Sequence, residues 1–422
     1  MPYDPRDPAF YDTLAVEKEL ARVTELCDGC RRCYRLCPSF DYMLDDAVDK
    51  NDGDIAKITS ADYRKIVDLC WQCKLCYNHC PYTPPYKWDI DFPRLMLRAK
   101  AARAKAEGVT RQDVWLGNVD AIGALGCATA PFSNWANAFG PHRVLLEAVV
   151  GIDRTRILPK FRHKTFARWF RERGMGRVAQ GPRVALFYSC SVNYNEPQVG
   201  RDTVSVLERN GCSVTCPEQV CCGMPYLDGG DIAAATENAR KNITALLPLA
   251  EAGADIVVPQ PTCSYVLKKE YTMLVPGEAA EKVAASTQDL FEYLAGRQKA
   301  GTLKTDFPGK KPGKVAYQAP CHLRAQNMGF NTRDVLQLIP GTDVSVVEKC
   351  TAMDGTWGMK KEYYPISVQY ARKAVDAMDA SSPETYMTDC TLSALQIETV
   401  RGVRPAHPIA LLREAYGIPE EK

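Results

Sequence analysis

Two cysteine runs near the N-terminus constrain this chain more than anything else in it. Cys27, Cys30, Cys33, Cys37 and Pro38 read C-x2-C-x2-C-x3-C-P, and Cys70, Cys73, Cys76, Cys80 and Pro81 repeat the pattern. Three thiols separated by two residues each wrap a tight loop around one corner of an iron-sulfur cube, while the fourth, turned by the proline, reaches a neighbouring one. The spacing predicts two [4Fe-4S] clusters with exchanged ligands: cluster I on Cys27, Cys30, Cys33 and Cys80, and cluster II on Cys70, Cys73, Cys76 and Cys37. A zinc ribbon uses two separated C-x2-C pairs and has no need of the third cysteine, the fourth or the proline, all duplicated. Arg31, Arg32, Arg35 and Lys74 lie among these ligands, where they either raise the cluster potentials or solvate the surface.

The chain has 422 residues, too many for one ordinary core, so two or three domains are expected. Its 18 cysteines would suit disulfides in a secreted chain, but residues Met1 to Asp12 are polar and acidic, without the basic and apolar regions of a signal peptide. The expectation is a cytoplasmic location, free or attached to the inner face of the cytoplasmic membrane, with reduced, metal-binding thiols. A net charge of +2 gives no global attraction to nucleic acid, so none is expected as a partner. No run approaches the roughly 18 apolar residues of a spanning helix.

From Arg183 onward, short β-branched runs alternate with longer amphipathic stretches: Val184 to Tyr188, Ile256 to Val258, Val344 to Val347. That is the pattern of α/β units. The unit repeats. Setting VALFYSC from residue 184 against VAYQAPC from residue 315 brings Cys221-Cys222-Gly223 beside Cys350-Thr351-Ala352, and Gln260 to Cys263 beside Cys390 to Ser393. The expected architecture is α+β and multidomain: a helical, ferredoxin-type two-cluster domain over 1–105, a helical, basic connector over 106–180, and a duplicated α/β unit with Cys-Cys-Gly (CCG) turns over 181–300 and 301–422.

Ligand sites collect at the carboxyl ends of parallel strands, and each half places cysteines there. In the first half Cys190, Cys221, Cys222 and Cys263 suffice for a third cluster, with Gln260 where a fifth thiol could stand. In the second only Cys321, Cys350 and Cys390 remain, because Thr351 and Ser393 occupy the other positions. Three thiols could hold a three-iron cluster, a four-iron cluster with another ligand such as His322, or nothing. Cys127, Cys212 and Cys216 fall outside the register and read as packing residues.

The segments FYSCSVNYNEPQVGRD (187–202), CCGMP (221–225), PTCSYVLKKEY (261–271), PCHL (320–323), GTWGMKKEYYP (355–365), TDCTLSALQIE (388–398) and HPIALL (407–412) resemble the heterodisulfide-reductase-related, CCG-domain iron-sulfur subunits, above all the C subunits of anaerobic glycerol-3-phosphate dehydrogenases. The resemblance spans nearly the whole chain. It implies that Cys190, Cys221, Cys222 and Cys263 bind a cluster, that Cys321, Cys350 and Cys390 belong to a second site, and that electrons pass from a flavoprotein dehydrogenase, or another redox protein, to membrane quinone. The relatives keep complete Cys motifs in the second half. Their absence here weighs against a thiol-disulfide reductase of the heterodisulfide type; a soluble donor to a rubrerythrin-type peroxide reductase is a further alternative.

Residues 154–177 carry Arg154, Arg156, Lys160, Arg162, Lys164, Arg168, Arg171, Arg173 and Arg177 against one acid, Glu172, and Phe166, Trp169 and Phe170 recur at helical spacing. Such a helix suits a membrane surface, or it packs its aromatic stripe on the α/β domain and solvates the arginines. Trp115, Val119, Ile122 and Leu125, at spacings of four and three, form a helical patch before it. No dinucleotide or phosphate-loop motif occurs, so hydride chemistry belongs to a partner and this chain is read as the electron-transfer component of an oxidoreductase complex, with no catalytic residues of its own.

Overall fold

In the computed structural model, residues 3–174, 178 and 180–421 are described. Asp12 caps the first long helix, Thr13–Cys30, by accepting from the amides of Leu14 and Ala15, which a helix start otherwise leaves without partners. Val16, Leu20 and Val23 share its buried face. The helix stops at Arg31 in a left-handed conformation, φ 49°, so Cys27 and Cys30 occupy its last turn and Cys33 the loop beyond. A second helix, Ser60–Leu69, opens on a capping box between Thr59 and Asp62 and ends at Cys70. Positive φ at Gln72 and Lys74 then curls the chain around Cys73 into the short helix Leu75–His79. A third helix, Phe92–Glu107, packs along the first. Phe40, Met43, Ile66, Trp71 and Leu95 fill the core between them.

Four short helices follow: Arg111–Gly117, Val119–Ala128, Phe132–Ala138 and Gly140–Val150. The basic stretch beyond them is helical only over Phe166–Arg173, and Arg177 lies outside the described residues. For the aromatic stripe, the membrane contact expected of residues 154–177 is corrected by the packing. Phe166 and Trp169 are 0% and 4% exposed, and Phe170 packs with them on the α/β core. Arg173 lies over the Trp169 ring and pairs with Glu208 at 2.5 Å, buried. A stripe already enclosed has no apolar face left for lipid. Exposed apolar side chains concentrate upstream instead, on and beside the four short helices, among them Leu125, Phe132, Trp135, Leu145 and Val149. Among the described residues no helix is long and apolar enough to cross a membrane.

The α/β part holds two parallel sheets. Strands β1 (Arg183–Leu186), β2 (Ser213–Thr215), β3 (Asp255–Val258) and β4 (Thr287–Asp289) are ordered β2-β1-β3-β4. Strands β5 (Lys314–Gln318), β6 (Asp343–Val347) and β7 (Thr385–Met387) are ordered β6-β5-β7. The order of the first three strands is therefore repeated, and a single parallel bridge from Met387 to Ala406 stands where a fourth strand lies in the first half. Val184, Leu186 and Val257 share one core with Val315, Tyr317 and Met387, so the two halves bury each other and hold their thiol-bearing strand ends in one fixed relation.

Candidate iron-sulfur sites

The eight N-terminal cysteines gather in two groups that exchange a member. Cys27 is within electrostatic reach of Cys30, Cys33 and Cys80, and these four line one recess with Leu26, Phe40 and Tyr82. Cys37 faces Cys70 and Cys73, and Cys76 faces all three. The thiols surround their recesses without converging on a point: among the described residues no three His, Cys, Asp or Glu side chains come close enough for a single ion. Backbone amides already address the sulfurs. Tyr82 donates to the Cys80 Sγ at 3.4 Å, and Ser39 and Phe40 donate to Cys37. Such bonds stabilise a charged thiolate. Burial, with the neighbouring thiols adding to it, pushes Cys37 and Cys76 well above the usual thiol range, so a cluster entering here displaces protons. Four soft thiol donors and amides aimed at sulfur fit a [4Fe-4S] cluster in each group, the second group being the more deeply buried.

Of the four basic residues among these ligands only Lys74 is inside. Arg31 pairs with Asp28 and Asp49, Arg35 with Asp45, and both, like Arg32, are exposed. Lys74 is 4% exposed; its Nζ donates to Gln72 Oε1 at 2.6 Å and lies 3.5 Å from Glu270. Burial is the largest influence and works against its charge, but Glu270, with Tyr265 and Asp228 adding, together offset it and hold the ammonium charged.

In the first α/β half the thiols form a continuous run: Cys190 contacts Cys221, Cys221 contacts Cys222, and Cys222 contacts Cys263. The Cys-Cys-Gly turn is held from two sides. Asn242 accepts from Val220 N at 2.9 Å and donates to the Cys221 carbonyl at 3.3 Å. Gly223 has φ 98°, and a Cβ there would meet the Ala235 backbone at 3.4 Å, so glycine is the residue the turn accommodates. From the connector, Asp120 Oδ2 accepts from the Cys221 amide at 2.7 Å. Sequence reasoning did not find Asp120; its only signal was a lone carboxylate inside the patch Val119 to Leu125.

The second half differs. Cys321 Sγ and Cys350 Sγ are 3.3 Å apart. Thr351 and Ser393, at the positions without thiols, are buried and hydrogen-bonded to each other at 3.0 Å. Each hydroxyl therefore has its partner without a metal. His322 as a cluster ligand is corrected: its Nε2 donates to the Gln72 carbonyl at 3.0 Å and its Nδ1 accepts from Thr262 at 2.9 Å. Both ring nitrogens are occupied, and burial lowers the imidazole to about 4, which keeps it neutral. Cys390 is within electrostatic reach of both Cys321 and Cys263, so it stands between the halves, and Cys321 in turn reaches Cys73. Outside these groups, Cys127 donates to the Tyr194 carbonyl at 3.3 Å, Cys212 meets the Tyr293 hydroxyl at 3.3 Å, and Cys216 packs on the shared core.

Comparison with known proteins agrees with this geometry. A "Citrate utilization protein B Fer4-like domain" matches residues 20–107, and a "Cysteine-rich domain", CCG, matches residues 184–268 and 315–398. The C subunit of anaerobic glycerol-3-phosphate dehydrogenase from Escherichia coli K12 is 32% identical over 338 residues, 78% of this chain and 82% of its own. The B subunit of fumarate reductase (CoM/CoB) from Methanothermobacter marburgensis is 29% identical over 56% of this chain and 47% of its own. Lactate utilization protein A of Bacillus thuringiensis is 31% identical over 49% and 87%. With a ferredoxin-like unit, a duplicated cysteine-rich unit and a relative matched over most of both lengths, the chain belongs to the CCG-domain iron-sulfur subunits, the family that includes the C subunit of anaerobic glycerol-3-phosphate dehydrogenase.

Proposed function

We propose that this chain is the relay subunit of a redox complex, taking electrons from a flavoprotein dehydrogenase and delivering them at the inner face of the cytoplasmic membrane to quinone. One observation carries the reading: successive thiols lie within electrostatic reach of one another through the molecule, from Cys27, Cys80 and Cys33 through Cys76, Cys73, Cys321 and Cys390 to Cys263 and Cys190. Clusters bound along it supply one-electron transfer. The residues of the chain do the rest. Cys27, Cys30, Cys33 and Cys80 hold the first, Cys37, Cys70, Cys73 and Cys76 the second, and Cys190, Cys221, Cys222 and Cys263 the third. Burial keeps water from the thiolates, and the buried Lys74 ammonium places a positive charge beside the second site, favouring the added electron. The chain divides as 1–105, 106–180, 181–300 and 301–422.

The hydrogen-bonded Thr351 and Ser393 pair disfavours a heterodisulfide-type reductase, whose chemistry needs a complete second site. Iron and labile-sulfide analysis with EPR on anaerobically purified full-length protein tests the assignment; about 12 iron atoms per chain are expected from three four-iron sites. Replacing Cys221 and Cys222 together is expected to remove about four of them and interrupt electron flow, while replacing Cys350 and Cys390 leaves most iron in place. Equal iron loss from both double variants, with folding intact by circular dichroism, would mean one site shared between the halves instead.

A further inference from the structure

The four short helices enclose a cavity that the relay leaves unused. It encloses about 280 Å³, and Trp115, Val119, Ile122, Leu146 and Phe161 form its apolar wall. Its floor is Cys190, the thiol at the far end of the succession, flanked by Ser191 and Tyr194. A pocket this size, apolar with a few polar groups at one end, is the usual form of a small-molecule site.

The helices that wall the cavity are apolar on both faces. On Val119–Ala128, Ile122 points into the cavity while Leu125 is 67% exposed; on Gly140–Val150, Leu146 lines it while Leu145 and Val149 are 60% and 66% exposed. Phe132, Trp135 and Phe139 extend the outer face as a stacked aromatic ladder. A helix with two apolar faces is unstable facing water, and a contiguous exposed patch marks a contact with lipid or protein. Charge favours lipid. Leu158, Pro159 and Phe161 line the cavity, while Lys160 and Arg162 between and beside them are exposed, placing cations at its edge as an anionic leaflet requires.

From these observations we infer that the cavity over Cys190 binds a lipophilic quinone that enters from the bilayer across the patch formed by Leu125, Trp135, Leu145 and Val149. A quinone is a flat apolar ring bearing two acceptor oxygens, which suits an apolar, partly aromatic wall that also carries the few polar side chains Ser191, Asn137 and Asn195. Reduction to the quinol takes up two electrons from the reduced flavoprotein partner and two protons from water, with no bond to the protein. The inference rests on the relay reading for its purpose, but the site can be tested separately.

Equilibrium dialysis of full-length protein against menadione, a naphthoquinone without a tail, should show one saturable site per chain and quench Trp115 fluorescence, a quench that Trp115→Phe removes. Filling the cavity with Val119→Phe and Ile122→Phe should weaken menadione binding by roughly tenfold or more, about 1.4 kcal/mol. The rim variant Trp135→Ser with Leu145→Ser should bind menadione normally and lose capture by phosphatidylglycerol vesicles. Absence of saturable binding, Trp115 fluorescence unaffected by menadione, or full displacement of menadione by decanoate with no binding of quinone in vesicles, as for a lipid-tail site, would overturn the inference. If the filled variant still passes electrons from reduced viologen to menadione at the original rate, this site is wrong while the relay stands. Binding that the filled variant loses, without any electron transfer in the original protein, keeps the site and rejects the relay.

Discussion

Thr351 and Ser393 occupy positions where the repeat would place thiols, and the bond between their hydroxyls leaves both polar groups satisfied in the buried interior. Each hydroxyl alone in that interior would be an unpaired polar group costing about 1–3 kcal/mol; together they satisfy each other. Restoring both with Thr351→Cys and Ser393→Cys should therefore add about four iron atoms per chain, since Cys321, Cys350 and Cys390 are already near. Unchanged iron content in that variant would place the obstacle in the backbone. In the N-terminal unit, Cys37→Ala should weaken the EPR signal of the site containing Cys70, Cys73 and Cys76 and spare the other, because Cys37 faces Cys70 and Cys73. At this scale the sequence was highly legible: a spacing of two or three residues dictates the loop, and the loop aims the sulfurs. Lys74 and His322 were not legible, because their roles depend on Glu270, Gln72 and Thr262, none of which their sequence neighbours announce.

Single elements show the limits of periodicity. Phe166, Trp169 and Phe170 have the spacing of a surface-seeking stripe and of a core stripe alike, and only the sheet beneath them decides. Because Phe166 is fully buried, Phe166→Ala should cost about 3–5 kcal/mol in denaturant unfolding and leave vesicle binding of the folded protein unaltered. The cap of helix Leu290–Lys299 carries a pH dependence. Asp289 accepts from the Phe291 amide, and burial, with Asp389 adding, raises its carboxyl from 3.8 to about 8. A folded pKa above the unfolded one means its contribution is complete below about pH 3.8 and is lost as pH rises through about 8. The melting temperature should therefore fall as pH rises from about 3.8 to about 8 and level off beyond, and Asp289→Asn, which still caps, should flatten that fall.

At the scale of the whole molecule, the N-terminal unit is fastened to both α/β halves by polar bonds. Trp357 donates to the Asp68 carbonyl at 2.8 Å, Asn78 to the Arg324 carbonyl at 3.1 Å and Tyr370 to Asp41 at 2.6 Å, while His322 joins Gln72 to Thr262. Lys74 and Glu270 close the same interface, both within it. Glu270→Gln leaves the ammonium buried with a neutral partner and should destabilise by about 3–5 kcal/mol, read as an earlier, separate unfolding step of the N-terminal unit in calorimetry. A single unshifted transition would show that the pair does not hold the units together.

The sequence by itself determined the doubled cysteine loops, the exchange of Cys37 and Cys80, and the repetition of an α/β unit, because these follow from spacing and period within short stretches of chain. Tertiary structure alone decided which apolar helices stay exposed, where Lys74 and Cys390 stand, and that Asp120 meets the amide of Cys221 across 101 residues. Those outcomes depend on which surfaces bury one another, and burial is a property of the assembled core, where residues far apart in sequence remove each other from water.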